Sequence, residues 1–240
     1  MTDVKHDQHL LVNKEIAKKI AEAAGLNGKV VLEIGCGKGI LTKELAKKAK
    51  VIGIELDTKF KKELEKIKNL ELHFGNALEV LDFLDYNILI ANIPYSISEP
   101  LFYKLLHAKC ERAILMVSTK FYKHITSEET KLGILAKHLF NVKLLFEVPK
   151  ENFNPVPAID SVVLELEKKE SNNLVQEILL QFDKKVENAL REAMVRTFKI
   201  TKKEAKAKIE SLHLRKTEKR IRQLKKEELE ELINASSSLA

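Results

Sequence analysis

Short apolar runs rich in β-branched residues alternate with helix-like segments through the first two thirds of the chain. This alternation predicts a mostly parallel sheet covered by helices on both faces. The predicted strands are residues 29–34, 51–55, 70–74, 87–91, 113–117, 142–148 and 161–166, and the predicted helices are 41–49, 58–67, 99–107 and 130–140. The loop between the last two strands is too short for a crossover helix, so we expect these strands to pair antiparallel. The sequence therefore predicts an α/β protein with seven strands, one more than the usual dinucleotide-binding fold.

The β-rich pattern ends near residue 168. Helical periodicity then covers residues 173–197, 202–212 and 225–234, and Thr201 with Glu204 forms a capping-box pattern before the second of these helices. We therefore predict two domains, an α/β domain in residues 1–168 and a small all-α domain in residues 169–240.

The excess of positive charge falls in the predicted helical domain. The formal net charge of the chain is +7. Residues 168–240 hold 18 Lys and Arg against 12 Asp and Glu, and the span 196–226 holds 13 against 3. Such a basic block favours a polyanionic partner such as nucleic acid, although a solvated face of a lysine-rich helix has the same composition. The residues expected to contact phosphates are Arg196, Lys199, Lys202, Lys203, Arg215, Lys216, Lys219, Arg220 and Arg222.

Several classes of protein are disfavoured by what the sequence lacks. No apolar run approaches the ~20 residues needed to cross a bilayer. Residues 1–13 lack the charged-then-apolar order of a signal peptide. Cys36 and Cys110 are too few for a disulfide framework or a four-thiolate zinc site. We expect a soluble, cytoplasmic protein that is a monomer and has neither a membrane nor a metal partner.

A glycine-rich turn, EIGCGKG in residues 33–39, follows the first predicted strand. Glycines at such a turn let the chain bend sharply and let a ligand approach the backbone without a clash with Cβ. Glu55 ends the second strand, where a carboxylate accepts hydrogen bonds from both hydroxyls of a ribose. The spacing G-x-G-x-G places Ile40 where the dinucleotide motif has its last glycine, which favours S-adenosylmethionine over a nicotinamide cofactor. The structural alternative is a tight turn that binds no ligand.

Residues 92–95, Asn-Ile-Pro-Tyr, follow the fourth predicted strand and so belong to the same carboxyl edge of the sheet as the glycine loop. The exocyclic amine of a nucleobase is a poor nucleophile because its lone pair is delocalised into the ring. The Asn92 side-chain oxygen and a backbone carbonyl beside Pro94 can accept from this amine and localise the lone pair. Pro94 fixes the turn, and Tyr95 offers a face on which a base stacks. We therefore expect Asn92, Pro94 and Tyr95 to be catalytic, the alternative being an Asx-Pro turn without function.

Together these motifs resemble the ribosomal RNA adenine N6-dimethyltransferase family, which is related to the erythromycin-resistance rRNA methyltransferases. The resemblance covers most of the first 167 residues and includes DQHLL in residues 7–11 and FNPVPAIDS in residues 153–161. It implies a Rossmann-like class I methyltransferase sheet with an antiparallel last strand. It also implies methylation, often twice, of an adenine amine in small-subunit rRNA or its precursor. By this match, the cofactor-binding residues are His9, Leu11, Gly35, Gly37, Glu55, Asn76 and Asn92, and Phe153 packs on the face of the base opposite Tyr95.

The sequence departs from the family pattern at four places, which keep other functions open; at one of them, residues 196–199, RTFK, match the family's Arg-Arg-Lys segment only loosely. Asn76 stands where the family has Asp, and its oxygen can still accept from the amino group of the cofactor's adenine. Cys36 replaces the commoner Pro, and residues 118–121, STKF, replace a Gln-Lys-Glu pattern. These departures fit a divergent paralogue of archaeal type. One alternative is an rRNA cytosine N4-methyltransferase, and another, of a different class, is a non-catalytic RNA-binding ribosome-assembly factor.

Overall fold

The computed structural model describes residues 8–110, 112–170, 173–212 and 217–239. The chain divides into two compact units, an α/β unit of residues 1–123 and 141–168 and a helical unit of residues 124–140 and 169–240. The predicted boundary at residue 168 coincides with a boundary between these units. Residues 124–140, which the prediction placed in the first domain, pack instead with the C-terminal helices. The assignment of separate functions to the two domains stays a prediction.

A seven-stranded sheet forms the centre of the α/β unit, as the sequence predicts. The order of its strands is β4-β3-β2-β5-β6-β9-β7, with β2, β3, β4, β5 and β6 parallel and β9 antiparallel to β6. A separate two-stranded sheet pairs β1 with β8 in antiparallel register. The strands are β1 Leu10–Leu11, β2 Val30–Ile34, β3 Lys50–Glu55, β4 Leu70–Phe74, β5 Ile88–Asn92, β6 Arg112–Ser118, β7 Phe140–Val148, β8 Phe153–Asn154 and β9 Ser161–Lys168.

Among the described residues up to Thr126, six α-helices precede or connect the strands of the main sheet in the sequence. They are α1 Lys14–Ala23, α2 Ile40–Ala46, α3 Lys61–Leu64, α4 Ala77–Val80, α5 Ser98–His107 and α6 Thr119–Thr126. The sequence analysis missed α1, which begins at Lys14 because the side chain of the preceding Asn13 accepts from the backbone N–H groups of Glu15 and Ile16 at 2.9 and 3.4 Å. Its apolar face, which includes Ile20, packs into the core of the unit.

The middle strands of the sheet are buried on both faces. The four residues from Ile88 to Ala91 in β5 are each at most 1% exposed. This explains why they read as a continuous apolar run rather than as an alternating one. Since β5 lies between β2 and β6, the loops that follow β2 and β5 leave the sheet side by side at its carboxyl edge.

The helical unit contains α7 Lys131–Leu139, α8 Leu174–Leu180, α9 Val186–Phe198, α10 Lys202–Ser211 and α11 Lys226–Ser237. The prediction of one helix over residues 173–197 is wrong, because the chain turns after α8. The buried Gln181 amide donates to the carbonyls of Glu177 and Ala189 at 3.1 Å and stabilises this turn. The predicted capping box is confirmed at the start of α10, where Thr201 and Glu204 exchange hydrogen bonds. Within the described ranges, no helix is long and apolar enough to cross a membrane.

Candidate active site

The glycine loop after β2 is shaped by backbone angles that disfavour other residues. The φ angles of Gly35, Gly37 and Gly39 are +77°, +52° and +75°. A Cβ on Gly37 would lie 2.9 Å from Cδ2 of Leu10, and a Cβ on Gly35 would lie 3.6 Å from the carbonyl oxygen of Asn92. The loop needs glycine because all three φ angles lie in the left-handed region, and the two distances show that Leu10 and the end of β5 lie beside it.

Glu55 lies at the end of β3, beside the glycine loop, and is 5% exposed. Its Oε2 accepts from the backbone N–H of Gly37 at 2.7 Å, and its Oε1 accepts from the N–H of Asp57 at 2.9 Å. These two bonds fix the carboxylate, and each oxygen retains a lone pair that can accept a further hydrogen bond. Glu55 is thus held in a fixed orientation beside the glycine loop, and both of its oxygens can accept further hydrogen bonds.

Asn76 lies at the same edge of the sheet, one strand further from the centre. The N–H of Gly75 donates to the carbonyl of Glu55 at 2.9 Å, which connects the two turns. The Asn76 side chain caps α4, because its oxygen accepts from the N–H of Leu78 at 3.1 Å and its nitrogen donates to Glu79 at 2.9 Å. The oxygen predicted to accept from an adenine therefore already accepts one hydrogen bond.

Asn92 is joined to the N-terminal segment across 83 positions of sequence. Its side-chain nitrogen donates to the carbonyl of His9 at 3.2 Å. The adjoining pairing of β1 with β8 and a contact of 2.8 Å between His9 Nδ1 and the carbonyl of Pro155 fix this segment to the loop before β9. With its nitrogen held in this way, Asn92 keeps its Oδ1 as an acceptor for an amine.

Tyr95–Ile97 form a single helical turn that begins after Pro94, two residues beyond Asn92. The carbonyl of Pro94 accepts from the N–H of Ile97 at 3.1 Å and from the Ser98 hydroxyl at 3.4 Å. These bonds leave the carbonyl of Ile93, the residue before Pro94, as the candidate second acceptor for an amine. The Tyr95 hydroxyl lies 3.3 Å from the hydroxyl oxygen of the buried Ser161 and donates to the carbonyl of Ile159 at 3.4 Å.

The ring of Phe153 does not lie open to a ligand in this structure. Phe153 is 3% exposed and packs in the same core cluster as Leu11, its partner in the β1–β8 pair. The predicted packing of Phe153 on the face of the base opposite Tyr95 stays a prediction, and in this structure the ring is buried. Its burial favours a supporting role, in which Phe153 fixes the N-terminal segment that contacts Asn92.

Glu33, on β2 beneath the glycine loop, is a buried acid to which the sequence analysis assigned no role. It is 1% exposed, and neither its Oε2 nor the hydroxyl of Thr42 has a hydrogen-bond partner among the described residues. Burial, with a smaller contribution from the nearby Glu55 charge, raises the pKa of Glu33 to about 7. Burial likewise raises the pKa of the Cys36 thiol, so Cys36 stays protonated and is not an activated nucleophile.

We expect Glu33→Gln to stabilise the fold above pH 7 by up to about 3 kcal/mol. The folded pKa of about 7 exceeds the ordinary value of 4.5, so the folded protein holds a proton that the unfolded chain has released. The stability that this proton confers is complete below pH 4.5 and is lost as the pH rises to about 7. Thermal unfolding of both proteins between pH 5 and 8 measures the difference, with the exposed Glu22→Gln as control. A difference that does not grow with pH would contradict the assignment.

The residues predicted to contact phosphates differ in their surroundings within the helical unit. Lys199, Lys202 and Lys203 are exposed around the start of α10. Arg196 lies 3.5 Å from Glu177, Lys219 lies 2.6 Å from Glu228 and Arg222 lies 3.1 Å from Asp183, while Arg220 donates to the Asp183 carbonyl. Arg215, Lys216 and, in the N-terminal motif, Asp7 lie outside the described residues. The lysines around α10 are therefore the best placed of this set to bind an anion.

Comparison with known proteins identifies the family. The profile of the family described as "Ribosomal RNA adenine dimethylase" matches residues 3–234. The chain belongs to this family. A relative in Methanococcus maripaludis, named "Probable ribosomal RNA small subunit methyltransferase A", is 37% identical over 207 residues, which cover 81% of this chain and 78% of the relative. The resemblance predicted from the motifs is thereby confirmed.

Two solved structures agree with the family assignment. A dimethyladenosine transferase from Plasmodium falciparum superposes with a TM-score of 0.66 at 29% identity, over 96% of this chain and 98% of the other. The 23S rRNA methyltransferase ErmE shares the fold, with a TM-score of 0.62 at 21% identity over 95% of this chain and 99% of the other. The mixed seven-stranded sheet with an appended helical part is therefore the fold of this dimethylase family.

Proposed function

We propose that this adenine dimethylase transfers methyl groups from S-adenosylmethionine to the N6 amine of an adenine in small-subunit rRNA, twice at the same nitrogen. The observation that carries the proposal is the fixed orientation of Asn92. The His9 carbonyl accepts from the Asn92 nitrogen at 3.2 Å, so the Asn92 oxygen remains for the amine. This acceptor lies beside the glycine loop, because Gly35 approaches the Asn92 backbone.

The residues around the glycine loop fit S-adenosylmethionine. The cofactor supplies an electrophilic methyl group on a sulfonium. The glycine loop permits close approach of its methionine part, and the fixed Glu55 carboxylate accepts from the two ribose hydroxyls. Asn76 accepts from the adenine amino group with the second lone pair of its oxygen. His9 and Leu11 flank Leu10, whose side chain lies near Gly37, and in this proposal they bind the cofactor from the N-terminal side.

The residues after β5 activate the amine. The Asn92 oxygen and the Ile93 carbonyl accept the two amino hydrogens, which holds the nitrogen in a tetrahedral geometry and localises its lone pair. Tyr95 stacks on the base, and the contacts of its hydroxyl with Ile159 and Ser161 fix the ring. The methylated nitrogen is a strong acid, so its proton leaves to water without a dedicated base. After the first transfer one hydrogen remains on the nitrogen, and a single acceptor suffices for the second.

The lysines around the start of α10 bind rRNA phosphates in this proposal. We expect the triple variant Lys199→Gln, Lys202→Gln and Lys203→Gln to reduce the magnitude of the slope of log affinity against log salt concentration by about 2 to 3. Each phosphate contact releases about one counterion from the RNA on binding, so three lost contacts release about three fewer. Filter binding to small-subunit rRNA at several salt concentrations measures this slope. The control is a triple Gln variant of ion-paired lysines in the same unit, Lys137, Lys184 and Lys226. Equal slopes for the two variants would contradict the role.

The other candidate functions make different predictions in one experiment. The protein is incubated with methyl-labelled S-adenosylmethionine and unmodified small-subunit rRNA or precursor particles, and the nucleosides are then identified. N6,N6-dimethyladenosine supports the proposal, whereas an N4-methylated cytidine supports the cytosine alternative. RNA binding without cofactor affinity supports a non-catalytic assembly factor. The adenine reading is preferred because the family profile is that of adenine dimethylases. The same proposal places the protein in the cytoplasm as a metal-independent monomer.

A further inference from the structure

A lysine-lined groove lies on the α/β unit and shares no residue with the candidate active site. It encloses about 750 Å³ between the start of α1, helix α2, and α3 with the turn that follows it. Its apolar lining includes Ile40, Ala46 and Ile67, and its acidic residues are Glu44 and Glu63. The lysines that line it are Lys14, Lys43, Lys47, Lys66 and Lys68.

The lysines of this groove are largely free of acidic partners. Among the described residues, the one ion pair of these five lysines joins Lys47 to Glu44 at 2.6 Å. The other four are exposed and face a single further carboxylate, that of Glu63. Residues 1–167 as a whole, these five lysines included, hold 24 Lys and Arg against 23 Asp and Glu. The groove is thus a local concentration of positive charge on a near-neutral unit.

The position of Lys14 shows that the groove lysines are not all placed to stabilise the ends of helices. Lys43 and Lys47 lie in or after the last turn of α2, where cations offset the helix dipole. Lys14 is instead the first residue of α1, where a cation lies at the positive end of the dipole. Lys66 and Lys68 follow α3 rather than belonging to it. Lys14 therefore gains nothing from a helix end, so helix stability alone does not account for the convergence of five lysines on this groove.

We infer that this groove binds the phosphodiester backbone of the RNA substrate, an inference that rests on the proposed function. Several separate cations around one opening suit a chain of phosphates better than a single carboxylate. Lysine binds phosphate as a point charge and makes few demands on geometry, so these contacts position the RNA without reading its bases. The α/β unit thereby holds the RNA through contacts of its own, in addition to those proposed for the lysines around α10.

The test uses the full chain with Lys43, Lys66 and Lys68 all replaced by Gln. We expect RNA affinity to fall about tenfold or more at low salt, and the salt slope to fall by about 2 to 3. Affinity for S-adenosylmethionine should be unchanged, which shows that the variant is folded. The control replaces three exposed lysines outside the groove, Lys18, Lys109 and Lys143, and should bind RNA within about twofold of the unaltered protein.

The outcomes separate this inference from the proposed function. A groove variant that keeps the salt slope of the unaltered protein overturns the inference, even if the unaltered protein methylates rRNA. Equal weakening in the groove and control variants also overturns it, since the effect would then be one of total charge. If the unaltered protein binds rRNA but methylates no adenine, the proposed function fails. In that case a salt slope reduced only in the groove variant still supports RNA binding by the groove.

Discussion

Replacing Asn92 with alanine is expected to slow methyl transfer about 100- to 1000-fold, the loss typical when one aligned hydrogen-bonding group is removed from a reacting centre. The Asn92 oxygen accepts from the amine most strongly as the nitrogen becomes tetrahedral, so its removal acts on the transition state. The other six residues predicted to bind the cofactor are unchanged in this variant, so the loss of the Asn92 side chain should lower cofactor affinity by no more than about threefold. Single-turnover methylation of rRNA and calorimetric titration of the cofactor measure the two effects separately.

Two further variants sharpen the test of Asn92. Asn92→Asp keeps an oxygen acceptor but loses the nitrogen that donates to the His9 carbonyl, so the acceptor is no longer held in place. We expect it to be slower than the unaltered protein and faster than Asn92→Ala. Asn27→Ala, at an exposed position before β2, serves as the matched control and should retain full activity. Parallel losses of cofactor affinity and turnover in Asn92→Ala would refute the role given to this residue.

Glu55→Gln is expected to raise the dissociation constant of S-adenosylmethionine about 10- to 100-fold, since a hydrogen bond to a charged group contributes about 1.5 to 3 kcal/mol. Both carboxylate oxygens accept backbone N–H groups, from Gly37 and Asp57. An amide offers a single oxygen, so one of these N–H groups would face the NH₂ group and lose its acceptor. The variant should also be less stable, as measured by thermal unfolding without cofactor.

The loss in Glu55→Gln should be one of binding and not of chemistry. Saturating cofactor should restore methyl transfer to within severalfold of the unaltered rate, because the residues around the amine are intact. Glu22→Gln, an exposed acid on α1, is the control for loss of one negative charge. A variant that binds the cofactor normally but turns over slowly would show that Glu55 acts on the reacting groups instead.

The sequence predicted those features that follow from local apolar patterns and from the order of strands in a parallel sheet. Apolar runs predicted all seven strands of the main sheet, because its inner strands are covered on both faces. Because ligands bind at the carboxyl edge of a parallel sheet, the sequence predicted that Gly35, Glu55 and Asn92 lie at one edge. In the structure Gly35 lies close to Asn92, and the Gly37 N–H donates to Glu55. The roles of these residues in binding and catalysis stay predictions.

Features that depend on distant contacts were beyond the sequence pattern. The β1–β8 pair has two residues per strand and joins Leu11 to Phe153, so neither segment shows a strand period of its own. Phe153, which the motif predicts to pack against the base, is buried and paired with Leu11. The packing of residues 124–140 with the C-terminal helices is also set by tertiary contacts, because α7 has the same amphipathic pattern as a helix that covers a sheet. The burial of Glu33 was not predicted, because Glu33 is charged and is the first residue of the glycine-rich segment in residues 33–39.

The central claim is tested most directly by the identity of the nucleoside that the protein makes. Unmodified small-subunit rRNA, free or in precursor particles, is incubated with the protein and methyl-labelled S-adenosylmethionine, digested, and analysed by mass spectrometry beside the Asn92→Ala variant. We predict labelled N6,N6-dimethyladenosine with the unaltered protein, and with Asn92→Ala a yield of this nucleoside that is lower by about 100-fold or more. Label in cytidine, or no labelled base on any of these substrates while the cofactor binds, would contradict the account.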